Sequence, residues 1–286
     1  MESSLWMGTD TSFHAYVRDV QAAIDKYGSL NAMPHLVKMS GQYDEEGDYN
    51  PVGIRTEGAV AILDIEGPTV TKSSFFSQVF GIVAYDDIQN RFMEAHDDPA
   101  IKAVLMNIDS GGGNAEGVFK LGRFINEFNA SVMPVISYDA NRQCSAALLY
   151  GSGAGQMIAD QDSEIGSIGC IAVQKEFTKM LEMAGIKATV FRSAEFKALG
   201  QPYEKLSDTA KAQIQEDVMR VHRQFVNTLV ENTGNDLKVV NSWANGKVFE
   251  ASQALKMGLL DSVQPIERVV ATLNKRLENA PRKGSR

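Results

Sequence analysis

Apolar and polar residues follow two different spacings along this chain, and the spacings predict strands and helices in turn. Short, nearly continuous apolar runs that end at glycine or polar residues are typical of buried strands. We expect such strands over residues 59–67, 102–109 and 133–140. Apolar residues that recur every three or four positions predict amphipathic helices instead. We expect these over residues 85–98, 116–129, 177–186 and 206–234.

Shorter elements are predicted between and after these segments. An apolar helix is expected to begin within 145–155, and two short strands are expected within 156–173. Another strand is expected over 187–193, and residues 245–263 indicate a turn, a short helix and a strand. Because strands alternate with helices throughout 59–263, the sequence predicts an α/β fold with a mostly parallel sheet.

The two ends of the chain differ from this central part. Residues 11–27 carry apolar residues at helical spacing and predict a docking arm, and the polar, glycine-rich residues 40–57 predict a linker. We therefore divide the chain into three regions. These are an N-terminal arm and linker (1–57), a central α/β domain (58–265), and a C-terminal helix with a polar tail (266–286).

Composition and charge restrict the class of protein. The hydrophobic share is 44% of 286 residues, which suits a chain that buries a core. A net charge of −8 argues against nucleic-acid binding, which needs clustered lysine and arginine. We see no signal-peptide pattern and no apolar run near the ~18 residues of a spanning helix. With two cysteines, the chain is expected to be soluble, intracellular and without a membrane partner.

A glycine-rich turn follows the second predicted strand, in the sequence IDSGGGNAEG at 108–117. Consecutive glycines let a backbone pass close to a ligand with its N–H groups free to point at it. A dinucleotide fingerprint needs glycine where Glu116 stands, and the lysine of a phosphate-binding loop is absent. The segment is therefore either a tight strand-to-helix turn or an oxyanion hole for acyl transfer.

The doublet Cys144–Ser145 comes between a predicted strand and a predicted helix. A serine nucleophile at such a junction is exposed at the corner of a sheet and lies at the positive end of the helix dipole. The alternative is a helix cap, since serine is a favoured N-cap residue. Cys144 could act as a thiolate only beside a cation, and it is more simply a small buried residue.

A serine nucleophile needs a base. The sequence pattern does not decide whether a histidine or a lysine supplies it. The four histidines are His14, His35, His96 and His222, and none follows a strand in a loop. A lysine base must lose its charge, so its pKa must fall from about 10.4 towards 7–8 through desolvation. Lys197 is the candidate, because it follows a predicted strand and has Phe196, Ala198 and Leu199 as apolar neighbours.

Taken together, these segments resemble the serine–lysine peptidases of the signal peptide peptidase A family. The matching segments, in the family's order, are DSGGG (109–113), SAALLYGS (145–152), GSIGC (166–170) and SAEFKALGQPY (193–203). The spacing also matches, with 22 residues from the first serine to the second and 52 from that first serine to the lysine.

The resemblance implies a role for each matching residue. Ser145 is the nucleophile, Lys197 is the general base, and Ser167 is the hydroxyl that helps to hold the lysine. The backbone N–H groups of Gly113 and Ala146 form the oxyanion hole, and Gly112 shapes the turn. The chain departs from the family pattern in two places: Gly111 replaces a proline, and Ala146 and Ala147 replace the glycines after the serine.

The resemblance also implies an architecture, a Clp protease/crotonase-like spiral of β-β-α units that uses no cofactor. In single-repeat members the serine and the lysine meet across a subunit boundary, so we expect a homo-oligomeric ring. The head-maturation proteases of tailed phages are more similar still, through GPTV (67–70), FGIVAYDDI (80–88) and the segment 248–261. They imply scaffold and capsid proteins as substrates, cut in the host cytoplasm inside the assembling head.

Two other functions remain open from the sequence. A capsid-assembly protein could keep this fold without catalysis, and it would neither cleave itself nor react with a fluorophosphonate. A crotonase-like acyl-CoA enzyme would share the oxyanion architecture and need acidic catalytic groups, for which Asp109 and Glu116 are available. Glu116 is explained more simply by the first turn of a helix, where the dipole favours a negative charge.

Overall fold

A computed structural model describes residues 6–8, 52–73, 77 and 82–279. Twelve strands are assigned within these residues: β1 Trp6–Gly8, β2 Val52–Glu57, β3 Val60–Glu66, β4 Thr69–Val70, β5 Val83–Ala84, β6 Ala103–Ser110, β7 Gly112–Asn114, β8 Val135–Cys144, β9 Gln156–Ala159, β10 Glu164–Gly166, β11 Val248–Glu250 and β12 Ser262–Val263. Eight helices are assigned there: α1 Tyr85–Asp97, α2 Val118–Ser131, α3 Ala146–Gly151, α4 Thr178–Met183, α5 Asp208–Thr233, α6 Leu237–Trp243, α7 Ala251–Lys256 and α8 Ile266–Glu278.

The larger of two sheets is built mainly from parallel strands. Its order is β11-β10-β8-β6-β3-β2, and β9 joins it beside β8 and carries β12 on its other edge. The central pairs β3–β6 and β6–β8 are parallel, whereas β2–β3 and β10–β11 at the edges are antiparallel. This arrangement confirms the predicted α/β class with a mostly parallel sheet.

Both faces of the large sheet are covered, which explains why its central strands read as apolar runs. Helix α8 covers one face through Val269, Val270 and Leu273, which pack against Val60 and Ile62 of β3. Helices α1, α2, α3 and α5 cover the opposite face. They share one buried cluster there with residues of β3 and β6: Ala61, Leu63, Ile65, Val104, Met106 and Ile108.

A smaller sheet lies beside the large one and has the order β1-β7-β4-β5. Strand β7 pairs in parallel with β4, and Thr69 stands opposite Gly113. A Cβ atom added to Gly113 would lie 1.8 Å from the Thr69 carbonyl oxygen, so only glycine fits this position. The triple-glycine segment is therefore a strand that packs closely against another backbone, and not only a turn.

Three predictions about elements need correction. Residues 52–57, predicted as linker, form an edge strand that pairs with β3 over six residues. The strand predicted over 133–140 continues to Cys144, because the second half of β8 pairs with β10. Residues 187–193 form no strand and pair with no other described strand, and Phe191 there is 92% exposed. The predicted N-terminal helix over 11–27 and the rest of the linker lie outside the described residues.

Candidate active site

Ser145 lies at the junction of β8 and α3, as predicted. Its backbone has φ 56° and ψ −118°, a region that residues with a side chain rarely adopt. Such a conformation costs on the order of 1–3 kcal/mol and persists only where the surroundings impose it. Here the Ser145 N–H donates a hydrogen bond to the Gly166 carbonyl over 2.8 Å, which fixes the turn. Sharp strand-to-helix turns of this kind present a serine nucleophile in other hydrolases.

The side chain of Ser145 is almost completely buried. The residue is 1% exposed, and its Oγ donates a hydrogen bond to the Gly169 carbonyl over 3.3 Å. Within the described part of the chain, Oγ bonds to that carbonyl and makes no hydrogen bond to a lysine or histidine nitrogen. The described residues of one copy therefore position the hydroxyl but bring no base into hydrogen-bond contact with it.

Ser167 lies directly beside the nucleophile candidate. Strands β8 and β10 run in parallel register with Gly166 opposite Cys144, so Ser167 follows next to Ser145. Ser167 also has a positive φ of 52°, and its N–H donates to the Lys247 carbonyl over 2.7 Å. The structure thus brings the two predicted serines together through the backbone of Gly166.

Lys197, in contrast, makes no hydrogen bond to Ser145 within the described part of the chain. It lies in an exposed turn in which its N–H donates to the Ala194 carbonyl over 3.0 Å. Among the described residues its Nζ has no hydrogen bond and no ion pair. The expectation that Lys197 follows a strand in a dry setting is wrong for one copy of the chain, since Phe196 is 59% exposed.

The residues of the predicted oxyanion hole come from two neighbouring elements. Gly112 and Gly113 open β7, and Ala146 is the first residue of α3, which packs against β7. The first N–H groups of a helix have no acceptor within the helix, so the Ala146 amide can serve a ligand. The Gly112 N–H is used differently, because it donates to the Ser110 Oγ over 3.1 Å.

Tyr85 links these two elements, and the sequence patterns did not mark it as a site residue. Its hydroxyl donates to the Asn114 carbonyl of β7 over 2.6 Å and accepts a hydrogen bond from the Thr69 hydroxyl over 3.3 Å. Its ring lies edge-on to Tyr150 of α3, with ring centroids 6.3 Å apart. Tyr85 therefore holds the glycine strand and the helix of the candidate nucleophile in one arrangement.

Two buried titratable groups precede Ser145 in β8. Burial raises the pKa of the Cys144 thiol to about 12, so at neutral pH it is a packed thiol and not a thiolate. Asp139 is fully buried, and among the described residues neither of its carboxylate oxygens accepts a hydrogen bond. Burial raises the pKa of Asp139 to about 8, and the nearby charges of Asp109 and Glu164 add to this. A polar residue within an apolar strand was the available signal in the sequence.

Other kinds of site find no support in the part of the chain that the structure describes. No three histidine, cysteine, aspartate or glutamate side chains there converge as metal ligands do. No described helix is long and apolar enough to cross a membrane.

An α/β fold with a strained serine between a strand and a helix, and a glycine strand beside them, is typical of serine hydrolases. Residues 127–280, more than half of the chain, match the model of peptidase family S49, and the chain belongs to that family. By its name, this is a family of peptidases. The predicted resemblance to the signal peptide peptidase A group is confirmed.

Curated relatives include proteins of phages and of cells. The chain is 25% identical over 235 residues to "Capsid assembly protease C" of Escherichia phage lambda. The aligned region covers 82% of this chain and 53% of that protein. The chain is 25% identical over 252 residues to "Head-tail preconnector protein GP5" of Enterobacteria phage P21, covering 88% and 50%. A putative signal peptide peptidase of Enterococcus faecium is 24% identical over 191 residues, covering 67% and 56%. The chain thus spans about half the length of the curated relatives it matches.

Solved structures with a similar chain path include proteases and acyl-CoA enzymes. A membrane-bound stomatin-specific protease, solved as a point mutant, is 14% identical with a TM-score of 0.45, covering 75% of this chain and 84% of that one. An enoyl-CoA hydratase/isomerase family member is 15% identical with a TM-score of 0.46, covering 81% and 78%.

Proposed function

We propose that this chain is a serine endopeptidase with a Ser145–Lys197 dyad that cuts scaffold and other head proteins during phage capsid maturation. The observation that carries the proposal is the backbone of Ser145, which is held in a strained turn between β8 and α3. Strain of this kind costs stability, and active sites are where folds retain it. The names of the two phage relatives, one a capsid assembly protease, support the choice of substrates and a site of action inside the assembling head.

The proposed reaction uses the residues in the following order. The uncharged Lys197 amine accepts the proton of Ser145 Oγ while Oγ bonds to the carbonyl carbon of the peptide. The N–H groups of Gly113 and Ala146 stabilise the oxyanion that forms. Lys197 then returns the proton to the leaving amine as the C–N bond breaks. Water attacks the resulting ester with Lys197 as its base, and Oγ recovers its proton.

Lys197 is proposed to come from a neighbouring copy of the chain. The segment 171–203, which contains it, exposes many large apolar side chains: Ile171, Val173, Phe177, Met180, Met183, Ile186, Phe191, Phe196 and Tyr203. An apolar surface of this extent is typical of a protein–protein contact. If a second copy covers it, Lys197 becomes desolvated, which favours the uncharged amine that a base requires. Ser167, beside Ser145, is proposed to hold the incoming amine.

The first test is the cleavage of co-expressed head proteins, measured by intact mass. We expect defined fragments with the wild-type chain and intact proteins with Ser145→Ala or with Lys197→Ala. Labelling of Ser145 by a fluorophosphonate should follow the same pattern. Cleavage at the wild-type rate by either variant would overturn the assignment of that residue, and an unlabelled wild-type chain would favour the non-catalytic assembly protein.

The second test mixes the two inactive variants and asks whether the dyad spans two copies. In a ring, a chain with Lys197→Ala still offers its serine, and a neighbour with Ser145→Ala still offers its lysine. Random mixing should restore about a quarter of the sites, because each site takes one residue from each of two adjacent chains. The double variant Ser145→Ala/Lys197→Ala mixed with wild type serves as a control. If the mixture of single variants stays inactive although mixed rings form, the dyad does not span two copies.

A further inference from the structure

Strand β1 occupies the outer edge of the glycine strand β7. The two run antiparallel, with Trp6 opposite Asn114, Met7 opposite Gly113 and Gly8 opposite Gly112. The other edge of β7 is already paired with β4. Residues 6–8 of the same chain therefore fill the one edge of β7 at which another backbone could add.

That edge is where an extended peptide has to lie for the proposed reaction. A peptide whose carbonyl oxygen reaches the Gly113 N–H must run beside β7, because Gly113 is the central residue of that strand. Addition of a strand to a sheet edge provides affinity through main-chain hydrogen bonds, largely independent of side chains. The two glycines of β7 also leave its edge open to close approach by a backbone.

The surroundings hold β7 rigid enough to serve as such a template. Thr69 lies against Gly113 with no room for a side chain, and the Tyr85 hydroxyl binds the Asn114 carbonyl. Neither of these two contacts involves β1, so both remain when β1 leaves this edge. Among the described residues, β1 contacts β7 over three residues, so a substrate that also binds other parts of the site can displace it.

We propose that residues 6–8 are an intramolecular competitor that occupies the substrate-backbone position and lowers the access of protein substrates to Ser145. This inference rests on the proposed function of the site. Since the segment belongs to the same chain, its occupancy does not depend on protein concentration. A segment that fills the edge in nine of ten molecules raises the apparent KM about tenfold and leaves kcat unchanged.

The test uses two full-length variants, Trp6→Pro and Met7→Pro. Adjacent residues of a strand direct their N–H groups to opposite edges, so at least one of the two prolines removes a donor that faces β7. With casein as an unstructured substrate, we expect KM to fall by about tenfold at unchanged kcat in at least one variant. The control is Ser3→Pro, which introduces the same residue outside 6–8 and should keep the wild-type KM.

Two further measurements separate this inference from the proposed function. In a Ser145→Ala background, hydrogen exchange of residues 110–116 should become faster with either proline, and this needs no catalysis. A synthetic peptide of residues 2–12 should inhibit the proline variants competitively, and a scrambled peptide should not. Unchanged exchange, or faster exchange with an unchanged KM, would overturn the inference. Loss of Ser145 without loss of cleavage would instead overturn the proposed function.

Discussion

The N–H group of Ser145 donates a hydrogen bond to the carbonyl of Gly166 over 2.8 Å, and this contact joins the two serines of the candidate site. It ties the end of β8 to the end of β10, so Ser167 is held beside Ser145 by the sheet itself. Both serines have positive φ values, 56° and 52°. The site is therefore a pair of strained turns at the ends of two parallel strands, where α/β folds commonly carry their chemistry.

The strain at Ser145 predicts an unusual response to glycine. Ser145→Ala keeps the side-chain carbon that makes φ 56° unfavourable, whereas Ser145→Gly removes it. We expect Ser145→Gly to be more stable than Ser145→Ala by about 1 kcal/mol, with both inactive. Urea unfolding at one fixed protein concentration measures the difference. As a control, the same pair of changes at Ser252, an exposed residue within helix α7, should favour alanine. A less stable glycine variant at position 145 would mean that the turn is not strained.

Gly113 should tolerate no side chain. A Cβ atom there would lie 1.8 Å from the Thr69 carbonyl, so Gly113→Ala must push β7 away from β4. We expect a loss of about 3 kcal/mol in the free energy of unfolding and loss of peptidase activity. Gly169→Ala is the matched control for stability, since nothing lies within 4 Å of its added Cβ. Equal stability of the two variants would show that the contact between β7 and β4 yields easily.

The sequence predicts the buried elements well because their patterns are set by burial. Strand β3 and helix α1 lie where expected, and Ile88, Phe92 and Ala95 of that helix are buried together. The failures are at exposed positions. Residues 52–57 read as linker because β2 is an edge strand in which only Val52 is buried. Residues 187–193 have the composition of a strand, but they pair with no strand in the part of the chain that the structure describes.

In the candidate site, too, local sequence patterns predict some features and not others. The place of Ser145 between a strand and a helix follows from local pattern, whereas its position next to the glycine strand is implied by the family resemblance alone. Its strained backbone depends on the hydrogen bond to Gly166, which is 21 residues away in the chain and not visible in any local pattern. The roles of Tyr85 and Asp139 depend on what surrounds them after folding. The role proposed for Lys197 depends on a contact that lies outside a single copy.

Tyr85 should contribute more to activity than to stability. Tyr85→Phe removes the hydrogen bond to the Asn114 carbonyl but keeps the ring that packs on Tyr150. We expect a cost of about 1–2 kcal/mol in unfolding free energy and a fall in kcat, because β7 loses a fixed contact next to the proposed oxyanion hole. Urea unfolding and casein cleavage measure the two effects. Tyr138→Phe is the control, because it removes a hydroxyl bonded to Asp160 in the buried cluster beneath α8, and it should lower stability but keep the wild-type kcat. A wild-type kcat in Tyr85→Phe would exclude the positioning role.

Asp139 should make the protein less stable as the pH rises. Burial raises its pKa from 3.8 to about 8, with Ser163 and Arg142 opposing the effect and Asp109 and Glu164 adding to it. Between these two pH values the folded state binds the proton more tightly than the unfolded state does. The free energy of unfolding should therefore fall with rising pH, by up to about 1.4 kcal/mol per pH unit from this group. Urea unfolding measured from pH 5 to pH 8 gives this slope, and Asp139→Asn should flatten it. The control is Asp162→Asn, which changes an exposed aspartate and should keep the wild-type slope. An equal slope in wild type and Asp139→Asn would mean that folding does not raise the pKa of Asp139.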